Sequence, residues 1–191
     1  MASKPISVGQ LQARQYEHDM AAHREVLLWP IARRLTRFVL ELSKYQGKLI
    51  AGPNGGTKDI RRRMITDSMI VVLSAANALN FSLSDSRASI DLRRDQPSDA
   101  DAKKLLVHYV STVGYMAEAC EAIDHGGNYP VTDVLKKGLR ALFSITAALA
   151  AWEGVDLQLT IPERWAEVER ASANAADNKP QDVDPQLSAV A

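Results

Sequence analysis

The chain has 191 residues, 23 Lys and Arg against 23 Asp and Glu, 46% apolar residues and a single cysteine. That fits one globular domain or two small ones, excludes an internal disulfide and an all-cysteine metal site, and argues against an obligate nucleic-acid or polybasic membrane binder. The zero net charge is a cancellation: residues 1–95 hold 15 Lys and Arg and 9 Asp and Glu, residues 96–191 hold 8 and 14, a balance of +6 against −6.

Helical spacing begins at once. Ser7 is placed to cap a helix whose marked positions are Val8, Leu11, Tyr16, Met20, His23, Leu27 and Leu28, and Pro30 predicts its end near Trp29. A second helix follows on the stripe Ile31, Leu35, Phe38, Val39, Leu42, Tyr45 and Leu49, with Arg33, Arg34, Arg37, Lys44 and Lys48 mainly off it. The Gly-rich stretch 51–57 reads as a loop. A third helix is expected from Lys58 or Asp59 to Ala78 or Asn80. It is apolar on most sides between Met64 and Leu79, as a buried bundle helix is.

Residues 82–100 read as a polar connector with a short helical turn around 86–92. The next helix is expected from Asp99 or Asp101 to about His125. Another runs from Val131 or Thr132 to Trp152 or Glu153, stopped by Gly154. Thr160, with Pro162 and Glu163 behind it, is the expected cap of a short closing helix. From about residue 174 the composition predicts a disordered tail. No strand is expected, so the fold class is all-α: a bundle of five or six main helices, in one domain over residues 1–173. Leu139–Trp152, the most apolar stretch, falls short of the roughly 18 uninterrupted apolar residues of a membrane span. The lone Cys120 and the absence of an apolar run in residues 1–10 point to a reducing, cytoplasmic setting.

The two halves echo each other, over about residues 30–83 and 105–157. Each has an amphipathic helix, a Gly-containing loop and an apolar helix. Glu41 falls opposite Glu118, and Asn80-Phe-Ser-Leu83 opposite Gly154-Val-Asp-Leu157. A duplication would fold as a pseudo-symmetric four-helix core.

At these residues the chain resembles the MazG-like, all-α nucleotide pyrophosphohydrolases. That family carries Glu-x-x-Glu on one helix and Glu-x-x-Asp on the next, followed by an apolar stretch and an Asn-containing turn. The first half resembles it through Glu41, Asp67, Asn77 and Asn80–Leu83, the second through Glu118-x-x-Glu121 and Gly154–Leu157. The resemblance implies hydrolysis of a nucleoside triphosphate to monophosphate and pyrophosphate, with Mg²⁺ or Mn²⁺ as cofactor. Such hard cations prefer oxygen ligands and can activate a water. It implies Glu118, Glu121 and Asp67 as catalytic and metal-holding acids with Glu41 in support, and Lys44, Arg61, Arg62, Arg63 and Asn77 as nucleotide contacts. The implied partners are a nucleotide and a second copy of the chain.

The acid pattern is incomplete. Lys44 stands where Glu41 needs an acid at i+3, Met64 stands three residues before Asp67, and Gly138 and Ala141 stand where the second half needs acids. Two readings follow: a composite site across the pseudo-dimer, or an eroded site in a protein that binds a nucleotide or a protein partner without catalysis. A third, contact of the Arg33–Lys48 cluster with nucleic acid, has little aromatic support. His18 and His23, at i and i+5, do not share a helix face and read as surface residues. Cys120, on an apolar helix, reads as a buried inert thiol.

Overall fold

A computed structural model describes residues 6–51, 57–84, 96–125 and 128–177. Among them are seven helices and no strand: α1 (Val8–Ala22), α2 (Arg24–Leu27), α3 (Ile31–Ile50), α4 (Lys58–Ala78), α5 (Asp99–His125), α6 (Val131–Glu153) and α7 (Leu157–Asp177). None of them is long and apolar enough to cross a membrane. The 86–92 turn and the centre of the Gly-rich loop lie outside the described residues.

The local signals act where the residues require. Ser7 accepts from the Gln10 N–H while the Gln10 side chain accepts from the Ser7 N–H, a reciprocal capping box. Thr57 caps α4 through the N–H of Ile60. Three expectations are corrected. The first helix does not run to Trp29: it breaks at His23, whose backbone (φ −136°, ψ 31°) leaves the helical region, and α2 restarts at Arg24. α2 ends at Leu27, shortly before Pro30, and Pro30 opens α3. The last helix starts before Thr160. The Asp156 carboxylate accepts from the N–H of Gln158, so α7 begins at Leu157 and carries Pro162 inside it. The helix also persists to Asp177, a full turn beyond the expected 173; residues 178–191 lie outside the described set.

α3 and α4 form one hairpin and α5 and α6 another, with α3 packed on α5 and α4 on α6. α4 also receives α1 and α7. Contact on all sides explains why Met64, Ile65, Met69, Val72, Leu73 and Ala76 are all buried, and why the α4 sequence shows no single apolar stripe. The two hairpins end alike. After α4, Asn80 takes a left-handed conformation (φ 47°) and the Phe81 N–H bonds to the Ala76 carbonyl. After α6, Gly154 does so (φ 68°) and the Val155 N–H bonds to the Ala150 carbonyl. These are Schellman-type caps at the positions the sequence echo places opposite each other. Leu83 and Leu157 are both fully buried behind them.

Gly138 shows why one expected acid is missing. A Cβ there would lie 2.6 Å from Cγ of Met116 on α5, so the close packing of α5 on α6 leaves no room for a side chain. Thr146, in the middle of α6, is 1% exposed, and its hydroxyl has no hydrogen-bond partner among the described residues. Thr146→Val keeps the shape and removes the unsatisfied group, so chemical denaturation should show a gain of about 1 kcal/mol; a loss of that size would mean the hydroxyl is satisfied in solution.

Candidate functional site

Helices α1, α2, α3, α4 and α7 enclose a cleft of about 220 Å³. One part of its wall is apolar, with Phe38, Ile70, Val71 and Trp165; the rest is polar, with Gln15, His18, Asp19, Glu41, Asp67 and Arg164. The inward face of α1 sets much of this. Gln15, His18 and Asp19, spaced three and four residues apart, are 0%, 5% and 7% exposed.

Gln15, His18 and Asp19 each have a partner. The Trp165 indole N–H donates to Gln15 Oε1 at 2.7 Å, and Gln15 Nε2 donates to Asp19 Oδ1 at 2.8 Å. His18 Nδ1 lies 2.9 Å from Glu169, and its ring stacks on Trp165. The break at His23 turns that ring edge-on to His18, with centroids 5.8 Å apart. Both facts correct the sequence expectation: His18 is buried, and i, i+5 residues meet because the helix between α1 and α2 is interrupted.

Burial pushes the Asp19 carboxyl above its ordinary range, against the opposing hydrogen bonds from Ser74 and Gln15 and the nearby His18 and His23. A group whose pKa is raised on folding favours the folded state below its unfolded pKa, and that advantage is lost as pH rises through the folded value. Thermal melts should therefore show Asp19→Asn more stable than the parent at neutral pH, with the gap closing as pH falls toward about 4. A pH-independent gap would contradict this. Burial, with the Asp67 and Glu41 carboxylates nearby, likewise drives the Tyr45 phenol upward, so it is a neutral hydroxyl.

A second depression, of about 430 Å³, adjoins the first and shares Tyr45, Asp67 and Arg164 with it. Its charged residues are Lys44, Lys48, Arg63, Arg164 and Asp67, four cations against one anion. Arg164 stands at the junction: its Nε donates to Asp67 at 2.8 Å and its Nη1 to Glu167 at 2.9 Å. Lys44 lies 4.6 Å from the centroid of the Tyr45 ring, and both Lys44 and Lys48 are exposed.

The residues singled out from the sequence separate into three groups. Glu41 and Asp67 are brought together in the cleft, each against an arginine: Arg37 at 3.0 Å and Arg164 at 2.8 Å. Lys44 and Arg63 line the neighbouring groove. The others serve elsewhere. Glu118 and Glu121 are exposed on α5, with Glu121 paired to His125, and neither lines the cleft. Arg61 forks onto the buried Glu153 carboxylate, and Arg62 donates to the Glu153 and Gly154 carbonyls. These two arginines tie the start of α4 to the end of α6. Asn77 is held in a two-way exchange with Gln12. Cys120 is buried and free, its thiol pushed up by burial.

The four carboxylates required by a Mg²⁺ cage are thus not gathered. Among the described residues no three His, Cys, Asp or Glu side chains are grouped to hold a metal ion. The two acids that do meet face arginines, whose charge opposes a cation. This donor set does not fit the expected metal. The residues sequence reading missed are Gln15, Asp19, Trp165 and Arg164. Arg164 and Trp165 lie about a hundred residues or more from their partners, and only the packing of α7 on α1 and α4 joins them. Compared with protein-family models, curated proteins and solved structures, the chain has no match in any of the three.

Proposed function

We propose that the protein is a non-hydrolytic, MazG-like helical bundle that binds a nucleotide, with the base in the α1/α3/α4/α7 cleft and the phosphates along Lys44, Lys48, Arg63 and Arg164. The observation that carries this reading is the continuity of a partly aromatic, hydrogen-bonding cleft with a cationic groove through Tyr45, Asp67 and Arg164. Bases stack on aromatic faces, and ammonium and guanidinium groups hold phosphate by charge-assisted hydrogen bonds. Against hydrolysis stands the separation of Glu118 and Glu121 from Asp67, together with the arginine partners of Glu41 and Asp67.

Calorimetric titration with nucleoside mono-, di- and triphosphates tests the reading. Affinity is expected to rise with phosphate number. Lys44→Ala/Lys48→Ala, at two exposed positions, should weaken triphosphate binding about tenfold, the equivalent of one charge-assisted contact. A parallel assay with Mg²⁺ should detect no pyrophosphate release. Release that disappears in Glu118→Gln would restore the hydrolase reading, and absence of binding would end the nucleotide reading.

A further inference from the structure

We infer that Asp19 makes the cleft selective for a base whose edge presents two adjacent hydrogen-bond donors, which among the common nucleobases is guanine. This rests on the nucleotide-binding reading above and adds the identity of the base.

The Trp165 indole N–H can only donate, so the Gln15 atom facing it at 2.7 Å is the carbonyl oxygen. That fixes the amide orientation without ambiguity. Gln15 must then present its NH₂ to Asp19, and it does so at 2.8 Å. The Ser74 hydroxyl is a second donor to the same carboxylate. Both neighbours therefore treat Asp19 as an acceptor. A carboxylate offers about four acceptor positions on two oxygens, and these two partners occupy two of them. Asp19 is only 7% exposed and lines the cleft, so a ligand that displaces water from it must replace the lost hydrogen bonds with its own donors.

The nucleobases differ in what they bring. Guanine sets a ring N–H beside an exocyclic NH₂, a donor pair matched to the two oxygens of a carboxylate. Adenine and cytosine each set an NH₂ beside a ring-nitrogen acceptor, whose lone pair would face an oxygen lone pair. Uracil flanks its one ring donor with two carbonyls. The apolar walls at Phe38 and Trp165 suit any base face, so discrimination falls to Asp19. Its burial, which already disfavours the charge, makes the gain from a donor pair larger than at an open surface.

Calorimetry on the full chain with GDP, IDP, ADP and CDP tests this. IDP keeps the ring N–H of GDP and lacks only the exocyclic amine. GDP is expected to bind about tenfold or more tightly than each of the others, the range of one bidentate base contact. Asp19→Asn, confirmed as folded by its helical circular dichroism, should reduce that preference to less than about twofold. Equal binding of all four would overturn the inference and leave the nucleotide reading intact. A guanine preference that survives in Asp19→Asn would overturn it as well. Binding of none would overturn both.

Discussion

Arg164→Ala is expected to lower the free energy of unfolding by about 3 kcal/mol or more, the usual consequence of stranding a buried charge. Asp67 is 9% exposed at its side chain and Arg164 22%, and their 2.8 Å pair joins α4 to α7. Removing the guanidinium leaves a mostly buried carboxylate without its cation. At about 2–4 °C per kcal/mol for a chain of this length, the melting midpoint should fall by roughly 6–12 °C. Arg164→Ala/Asp67→Asn should be more stable than Arg164→Ala alone, since no buried charge then lacks a partner. If the double variant is the weaker one, the pair acts through packing, as the long Arg stem would allow. Lys at 164 should rescue only in part, because it lacks the fork that reaches Asp67 and Glu167 together.

Gln12→Ala should cost about 3 kcal/mol by a different route. The Gln12 side chain donates to the Phe81 carbonyl at 2.6 Å and to Asn77 Oδ1 at 3.1 Å, and it accepts from the Leu83 N–H at 3.0 Å. Asn77 Nδ2 returns a bond to the Gln12 carbonyl at 2.9 Å. One 9%-exposed amide thus fastens α1 to the end of α4 and to the turn after it. Net contributions near 1 kcal/mol for each of three lost bonds give the estimate. Asn77→Ala should be destabilising too, and the two should be markedly non-additive in urea denaturation because they share bonds. If Asn77 contacted the nucleotide instead, Asn77→Ala would change affinity and leave stability near that of the parent.

The fold was legible because its signals are local. Ser7, the Gly154 stop and the all-round apolar α4 each set a helix and its limits through nearest neighbours. Where sequence reading failed, a local rule lost to another contact. The break at His23 carries no Pro or Gly to announce it, and His23 instead meets the His18 ring. The cap at Thr160 was displaced by Asp156, and Thr160 bonds to Thr66 across the helices instead.

The site was half legible. Glu41 and Asp67 do share a cleft, because α3 and α4 form a hairpin and both acids face the same side. The other half depends on α7 reaching back to α1 and α4, at separations no spacing argument covers. The arginine run at 61–63 shows the same limit. As a sequence it resembles a phosphate clamp, yet Arg61 and Arg62 are spent on the end of α6 and only Arg63 reaches the groove. The +6 and −6 halves meet in part through such pairs, Arg61 with Glu153 and Arg63 with Glu167.

A heteronuclear NMR titration of the full chain with a nucleoside triphosphate tests whether one continuous cleft and groove holds the nucleotide. Shift changes are expected to concentrate on the amides of residues 15–23, 37–48, 63–74 and 164–168, with α5 between 114 and 121 unmoved. Changes centred on Glu118 and Glu121, with the α1/α3/α4/α7 cleft silent, would contradict it.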